Sequence, residues 1–142
     1  MDPDNPVIAL CAQGMMAEGE GRAGDARDLF ARAWAQRADD FEACVAAHYL
    51  ARHQPTAEET LRWNQVALER AEAAGDERVR GFYPSLYLNL GKSYEDTGAR
   101  AEAARCYRMA ERRLDDLPAD GYGNMLRRGI QQALLRVADV EP

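Results

Sequence analysis

Apolar side chains recur at three- and four-residue intervals through most of the chain, and nowhere do they alternate with polar ones over the length of a strand. This pattern predicts seven helices, over about 7–18, 22–37, 40–53, 56–74, 78–97, 100–114 and 121–138. The breaks between them are short: Gly19 to Gly24, Ala38 to Asp40, Gln54-Pro55-Thr56, Gly75-Asp76, Thr97-Gly98 and Leu117 to Gly121. Connections of this length make neighbouring helices run antiparallel. Asp25, Thr56 and Asp76 each read as an N-cap whose side chain accepts a backbone N–H. Thr56-Ala-Glu-Glu has the form of a capping box, with Glu59 reaching back to the Thr56 amide. Gly98 suits a left-handed turn that closes a helix, and Pro84 requires the fifth helix to start or bend near it.

The helices repeat in pairs. One block reads Tyr87-x2-Leu90-Gly91-x2-Tyr94, then Ala103-x3-Tyr107-x2-Ala110. An earlier block has the same scheme: Leu10-x2-Gln13-Gly14-x2-Ala17, then Ala26-x3-Phe30-x2-Ala33. Shifting the first block by 34 residues lands on Cys44, Ala47, His48, Ala51, Thr60, Asn64 and Ala67, a degenerate copy that keeps small residues at three places. From Ala67 to Ala110 the step grows to 43 residues, and the extra length falls around Ala73 to Tyr83, where it would lengthen the helices on either side of Gly75-Asp76.

An aromatic, Leu-Gly and Tyr followed by Ala, an aromatic and Ala resembles the tetratricopeptide-repeat family. The longer step with its Gly-Asp turn resembles the extended variety of that family. The resemblance implies an all-α fold, a right-handed superhelix of antiparallel hairpins, in one domain over 1–142. Repeats would fall at about 7–38, 41–74 and 78–117, and a capping helix at about 121–138 would solvate the end of the stack. Gly91 and Ala103 would be small where the two helices of a hairpin cross. The first helix of each hairpin would line a groove that takes a peptide or protein segment. Carried over residue by residue, the groove would be lined by Ile8, Cys11 and Met15, by Val45, Tyr49 and Arg52, and by Leu88, Asn89, Lys92 and Glu95. Tyr122 and Leu126 would be added from the cap. Met15, Tyr49, Arg52, Leu88, Asn89, Lys92 and Tyr122 are the leading site residues of this set. Some family members grip a C-terminal carboxylate with Lys, Arg and Asn. Cys11, Met15, Ala46 and Ser85 stand at the matching positions here, so that clamp is absent and chaperone tails are not expected partners.

Composition narrows the function classes. A hydrophobic fraction of 46% with 30% charged residues suits one folded domain that buries its own core. Eighteen Lys and Arg against 24 Asp and Glu give a net charge of −6, the wrong sign for phosphate contacts, so no nucleic acid is expected as a partner. Lys92 is the only lysine, a usage that with the many alanines suggests a GC-rich bacterial genome. Cys11, Cys44 and Cys106 are odd in number and lack CxxC spacing, which predicts free buried thiols in a reducing cytoplasm. The start, Met-Asp-Pro-Asp-Asn-Pro, is acidic and has no apolar run, so no signal peptide is expected. No stretch approaches the roughly 18 apolar residues of a membrane span.

Catalysis and metal chemistry find little support. Two histidines, no GxSxG, no GxGxxG and no phosphate loop predict a protein that is not an enzyme and needs no cofactor. Cys44 and His48 lie four apart, which could place two metal ligands on one helix face, yet no second pair exists and His48 falls at a crossing position. The expectation is therefore a scaffold or adaptor that holds a protein segment in its groove. The alternatives are a homodimer closed through Trp34, Trp63 and the cap face, or a sensor of a small apolar ligand.

Overall fold

The computed structural model describes residues 2–142. It is all-helical, with eight α-helices and no strand among the described residues. They are α1 (Pro6–Gly19), α2 (Ala23–Gln36), α3 (Asp40–Leu50), α4 (Ala57–Ala74), α5 (Glu77–Arg80), α6 (Tyr83–Asp96), α7 (Arg100–Arg112) and α8 (Gly121–Arg136). Single 3₁₀ turns follow α3, at Ala51–His53, and α7, at Leu114–Asp116. The chain folds as two compact units, one ending at Gly75 and the other Asp76–Pro142.

In the first unit α1 and α2 form a hairpin, and α3 packs on both before α4 packs on α3. The hairpin closes at Gly14, which lies beneath the Phe30 ring. A methyl group there would come within 2.3 Å of Phe30 Cε1, so only glycine permits the approach. Phe30 in turn stacks on Tyr49 of α3 at 5.2 Å between centroids and tilts against His53 at 5.5 Å. With helices on several sides, α3 is buried at every residue from Phe41 to Leu50. Trp34 and Trp63 pack edge to face at 4.9 Å, and the Arg37 guanidinium covers Trp34 at 3.9 Å.

Caps explain where these helices begin. The Thr56 hydroxyl accepts from the Glu59 amide at 3.1 Å, as the sequence predicts. Asp25 corrects the prediction. The helix starts two residues before it, at Ala23, so Asp25 lies in the first turn and pairs with Arg22 at 2.8 Å. The stronger caps are Asn5, which accepts from the Val7 and Ile8 amides, and Asp39, which accepts from Glu42 N at 2.8 Å. The buried Glu42 carboxylate ties the two starts together, accepting from Ala38 N at 2.8 Å and from Asn5 Nδ2 at 3.0 Å.

The second unit opens on a correction. The predicted helix over 78–97 is two helices, α5 and α6, separated at Gly81 and Phe82. Pro84 has no N–H to give and its ring would strike the carbonyl four residues back, so the chain restarts with Pro84 in the first turn. The extra length expected around Ala73 to Tyr83 is therefore shared between the end of α4, which runs 18 residues to Ala74, and the separate four-residue α5, and α6 is not lengthened. Asp76 caps α5 by accepting from Arg78 N at 2.9 Å. Gly98 takes φ +86° at the end of α6, the left-handed turn its type predicts.

Within this unit α6 and α7 form a hairpin, and α8 packs on both. A methyl group on Gly91 would lie 2.5 Å from Tyr107 Cε1, the same closure as in the first unit. Ala103, Ala104, Tyr107, Ala133 and Val137 make the buried cluster, with Leu88, Tyr94, Leu134 and Val140 packed around it. Asp120 caps α8 by accepting from Gly123 N at 2.8 Å. Arg127 holds the turn before α8 by donating to the carbonyls of Leu114, Leu117 and Pro118.

Candidate functional site

α1 carries no charged residue between Pro6 and Ala17, so it is apolar on more than the face it buries. Its inner face presents Val7, Ile8, Leu10, Cys11, Gly14 and Ala17 to the core. Ile8 and Cys11, expected on the groove, thus pack inside at 2% and 0% exposure. Met15 remains on the surface at 41% exposure, and its neighbour Met16 at 68%. Exposed thioethers on an uncharged helix face are adaptable apolar contacts of the kind used at protein-binding surfaces.

Tyr49 and Val45 depart from expectation. Both are buried, Tyr49 because its ring is held between Phe30 and the Arg52 guanidinium, which lies 4.8 Å above it. Arg52 sits in the 3₁₀ turn after α3 and is engaged as well. It ion-pairs with Glu18 of α1 at 2.9 Å, while the other Glu18 oxygen meets His53 Nε2 at 2.7 Å. Tyr49 and Arg52 are thus brought together as a pin that locks α3 onto α1, rather than as a lining open to a ligand.

The same device recurs in the second unit. Glu95 lies four residues after Gly91, as Glu18 lies four after Gly14. It accepts from the Tyr107 hydroxyl and pairs with Arg136 at 3.0 Å, fastening the end of α8 to α6. Burial alone would raise the Glu95 pKa, but hydrogen bonds from Arg136 and Tyr107 outweigh it and hold the carboxyl below its usual range. Burial and the Glu95 carboxylate together push the Tyr107 phenol well above its ordinary value. Neither group is poised for proton transfer near neutral pH.

The other predicted residues of this unit divide by helix face. Leu88 packs against the buried cluster and reaches α8, where its Cδ2 would lie 3.3 Å from a methyl group on Gly129. α8 therefore occupies this part of the α6 surface. Asn89 is half-buried, and Lys92 is exposed and pairs with Asp96 at 2.5 Å. On α8, Leu126 is buried while Tyr122 is 49% exposed, and Met125 beside it is 54% exposed. Sequence reasoning passed over Met16, Met125 and Leu135, the last at 70% exposure. The signal for them was available: each adds an apolar side chain outside the stripe that its helix needs for packing.

Chemistry-bearing side chains are elsewhere fixed in the core. Burial lowers the His48 pKa to about 4, with the Arg52 charge adding to the effect. Burial pushes the Cys11 and Cys44 thiols up to about 12 and Cys106 to about 11. All three cysteines are free and buried, as the odd count predicts. Among the described residues no three His, Cys, Asp or Glu side chains are grouped to hold a metal, and no helix is long and apolar enough to cross a membrane. No protein-family model, curated protein or solved structure matches the chain.

Proposed function

We propose that the chain is a non-catalytic interaction module of the tetratricopeptide kind, a superhelix of helix hairpins that holds a segment of another protein. One observation carries this reading: the same hairpin is built twice. Gly14 lies under Phe30 and Gly91 under Tyr107, each glycine the ninth residue of its helix and 16 residues before its ring (14 to 30, 91 to 107). Each hairpin then adds the same carboxylate–arginine pin to the helix that follows it, Glu18 to Arg52 and Glu95 to Arg136. Repetition of one packing unit is how a helical array makes surface without making a catalytic cleft. Of the predicted groove residues, Met15, Lys92 and Tyr122 keep substantial exposure, and the exposed Met16 joins them. That set suits an apolar or amphipathic protein segment.

Affinity capture from the native host tests the proposal, comparing the wild type with a Met15→Glu, Met16→Glu chain. Proteins retained by the wild type should fall about tenfold or more with the variant, a loss typical of charging an apolar contact. Helical circular dichroism and Tm should stay the same, because both side chains are exposed. Equal retention by the two chains would sink the proposal for α1.

A further inference from the structure

Five residues of α7, Ala101, Arg105, Arg108, Met109 and Arg112, fall within about 100° of arc at 3.6 residues per turn and so share one face. With Glu141 and Pro142 they line a cavity of about 260 Å³ in the second unit. Arg105 and Arg112 are exposed and Arg108 is half-buried. Arg108 stands three residues after Arg105 and four before Arg112, spacings at which like charges destabilise a helix.

The arginines at the two ends of α7 are neutralised: Arg100 meets Asp139 and Arg113 meets Asp116. Between them, Arg105, Arg108 and Arg112 make no ion pair among the described residues, in a chain with 24 acids against 18 bases. Arg108 donates to the carbonyls of Val140 and Glu141, which fixes its guanidinium at the cavity wall and leaves its charge unmet. Arg112 reaches only the Met109 sulfur, at 3.5 Å. Glu141 turns its carbonyl to Arg108, and its carboxylate pairs with none of the three.

We infer that this face of α7 binds a short acidic segment of a partner protein, its carboxylates on Arg105, Arg108 and Arg112 and an apolar side chain beside them on Met109. The inference rests on the interaction-module reading and gives it a partner chemistry, on the second helix of a hairpin instead of the first-helix groove. Guanidinium forks take carboxylates two hydrogen bonds at a time. The row runs about 10 Å from Arg105 to Arg112 at 1.5 Å per residue, which spaces it for several carboxylates along a chain rather than one compact anion. The cavity is smaller than the roughly 300–1,000 Å³ of small-molecule sites and so admits side chains. Glu102 and Glu111 border the face, which keeps the favourable stretch short and turns away a long polyanion or an anionic bilayer.

The probe is a fluorescein-labelled peptide, Glu-Glu-Leu-Glu-Glu-Leu-Glu-Glu, read by fluorescence anisotropy with the full chain at low salt. It should bind saturably, and its counterpart with Gln for Glu should not. Arg105→Glu with Arg112→Glu in the chain should weaken binding about tenfold or more, since each lost pair becomes a repulsion. Arg27→Glu with Arg62→Glu, an equal change of charge at exposed positions of α2 and α4, should leave binding within about twofold. The Arg105→Glu, Arg112→Glu chain should keep its circular dichroism, and its Tm should hold or rise, because both new carboxylates lie within reach of Arg108. Absence of binding by the wild type, or equal loss in the two double variants, overturns the inference. Displacement of the peptide by inorganic phosphate, where chloride of the same ionic strength leaves it bound, overturns it in favour of a phosphate site. A single-stranded oligonucleotide that binds more tightly than the peptide overturns it in favour of a nucleic acid. A wild-type dimer in light scattering that Arg105→Glu with Arg112→Glu dissolves overturns it in favour of a second copy. The Met15→Glu, Met16→Glu chain should bind the peptide as the wild type does. If the peptide fails to bind while host-protein capture still depends on Met15 and Met16, the α7 site alone is wrong. If both fail, the interaction-module reading fails with it.

Discussion

At the scale of single residues, three glycines at one helical position divide into two kinds. Gly14 and Gly91 are glycine because an aromatic ring occupies the space of a side chain. Gly91→Ala should therefore cost about 1–3 kcal/mol, the usual penalty for forcing extra atoms into a packed core, and lower Tm by several degrees. Gly129→Ala meets only the branched end of Leu88 at 3.3 Å, which can shift, and it gains up to about 1 kcal/mol of helix propensity. Its Tm should hold or rise slightly. Thermal unfolding of the two variants side by side checks the contrast; equal losses would mean that Gly129 is packed like the others. The sequence announced Gly14 and Gly91 through the aromatic residues spaced after them. Gly129 has no such residue after it, so its place in the pattern emerged only when the helix starts were known.

At the scale of elements, long periodic stretches were legible and their ends were less so. The helix containing the Gln-Gly motif lies where the apolar spacing puts it, α1 running Pro6–Gly19 against the expected 7–18. The bounds 78–97 run α5 into α6 because the periodicity continues through Gly81, whereas the start or bend expected at Pro84 is where α6 begins, with Pro84 in its first turn. Caps show the same competition. Asp25 has a capping side chain but lies inside the first turn, whereas Asp39 and Asn5 hold the amides that need acceptors. Asp39→Ala should destabilise the chain by about 1 kcal/mol through the loss of an acceptor at the start of α3. Asp25→Ala, which removes only a surface pair with Arg22, should leave the urea midpoint nearly unchanged. Reversed effects in urea titrations of the two variants would reinstate Asp25 as the cap. The site was harder to read than the helices. Tyr49 and Arg52 lie where a groove lining was expected, but the ring of Phe30 and the carboxylate of Glu18 claim them, and neither contact is visible in spacing alone.

At the scale of the whole molecule, each unit carries its own buried thiols: Cys11 and Cys44 in the first, Cys106 in the second. With pKa values near 11 to 12 these sulfurs stay protonated at neutral pH, and an alkylating reagent can reach them only when the surrounding helices part. The cysteines therefore act as a clock for opening, readable without any label. Alkylation followed by mass spectrometry, with single-cysteine variants retaining Cys11 or Cys106, should give one shared rate if the chain opens as a single cooperative body. Two distinct rates would show that the halves open independently, Cys106 keeping one time and Cys11 another.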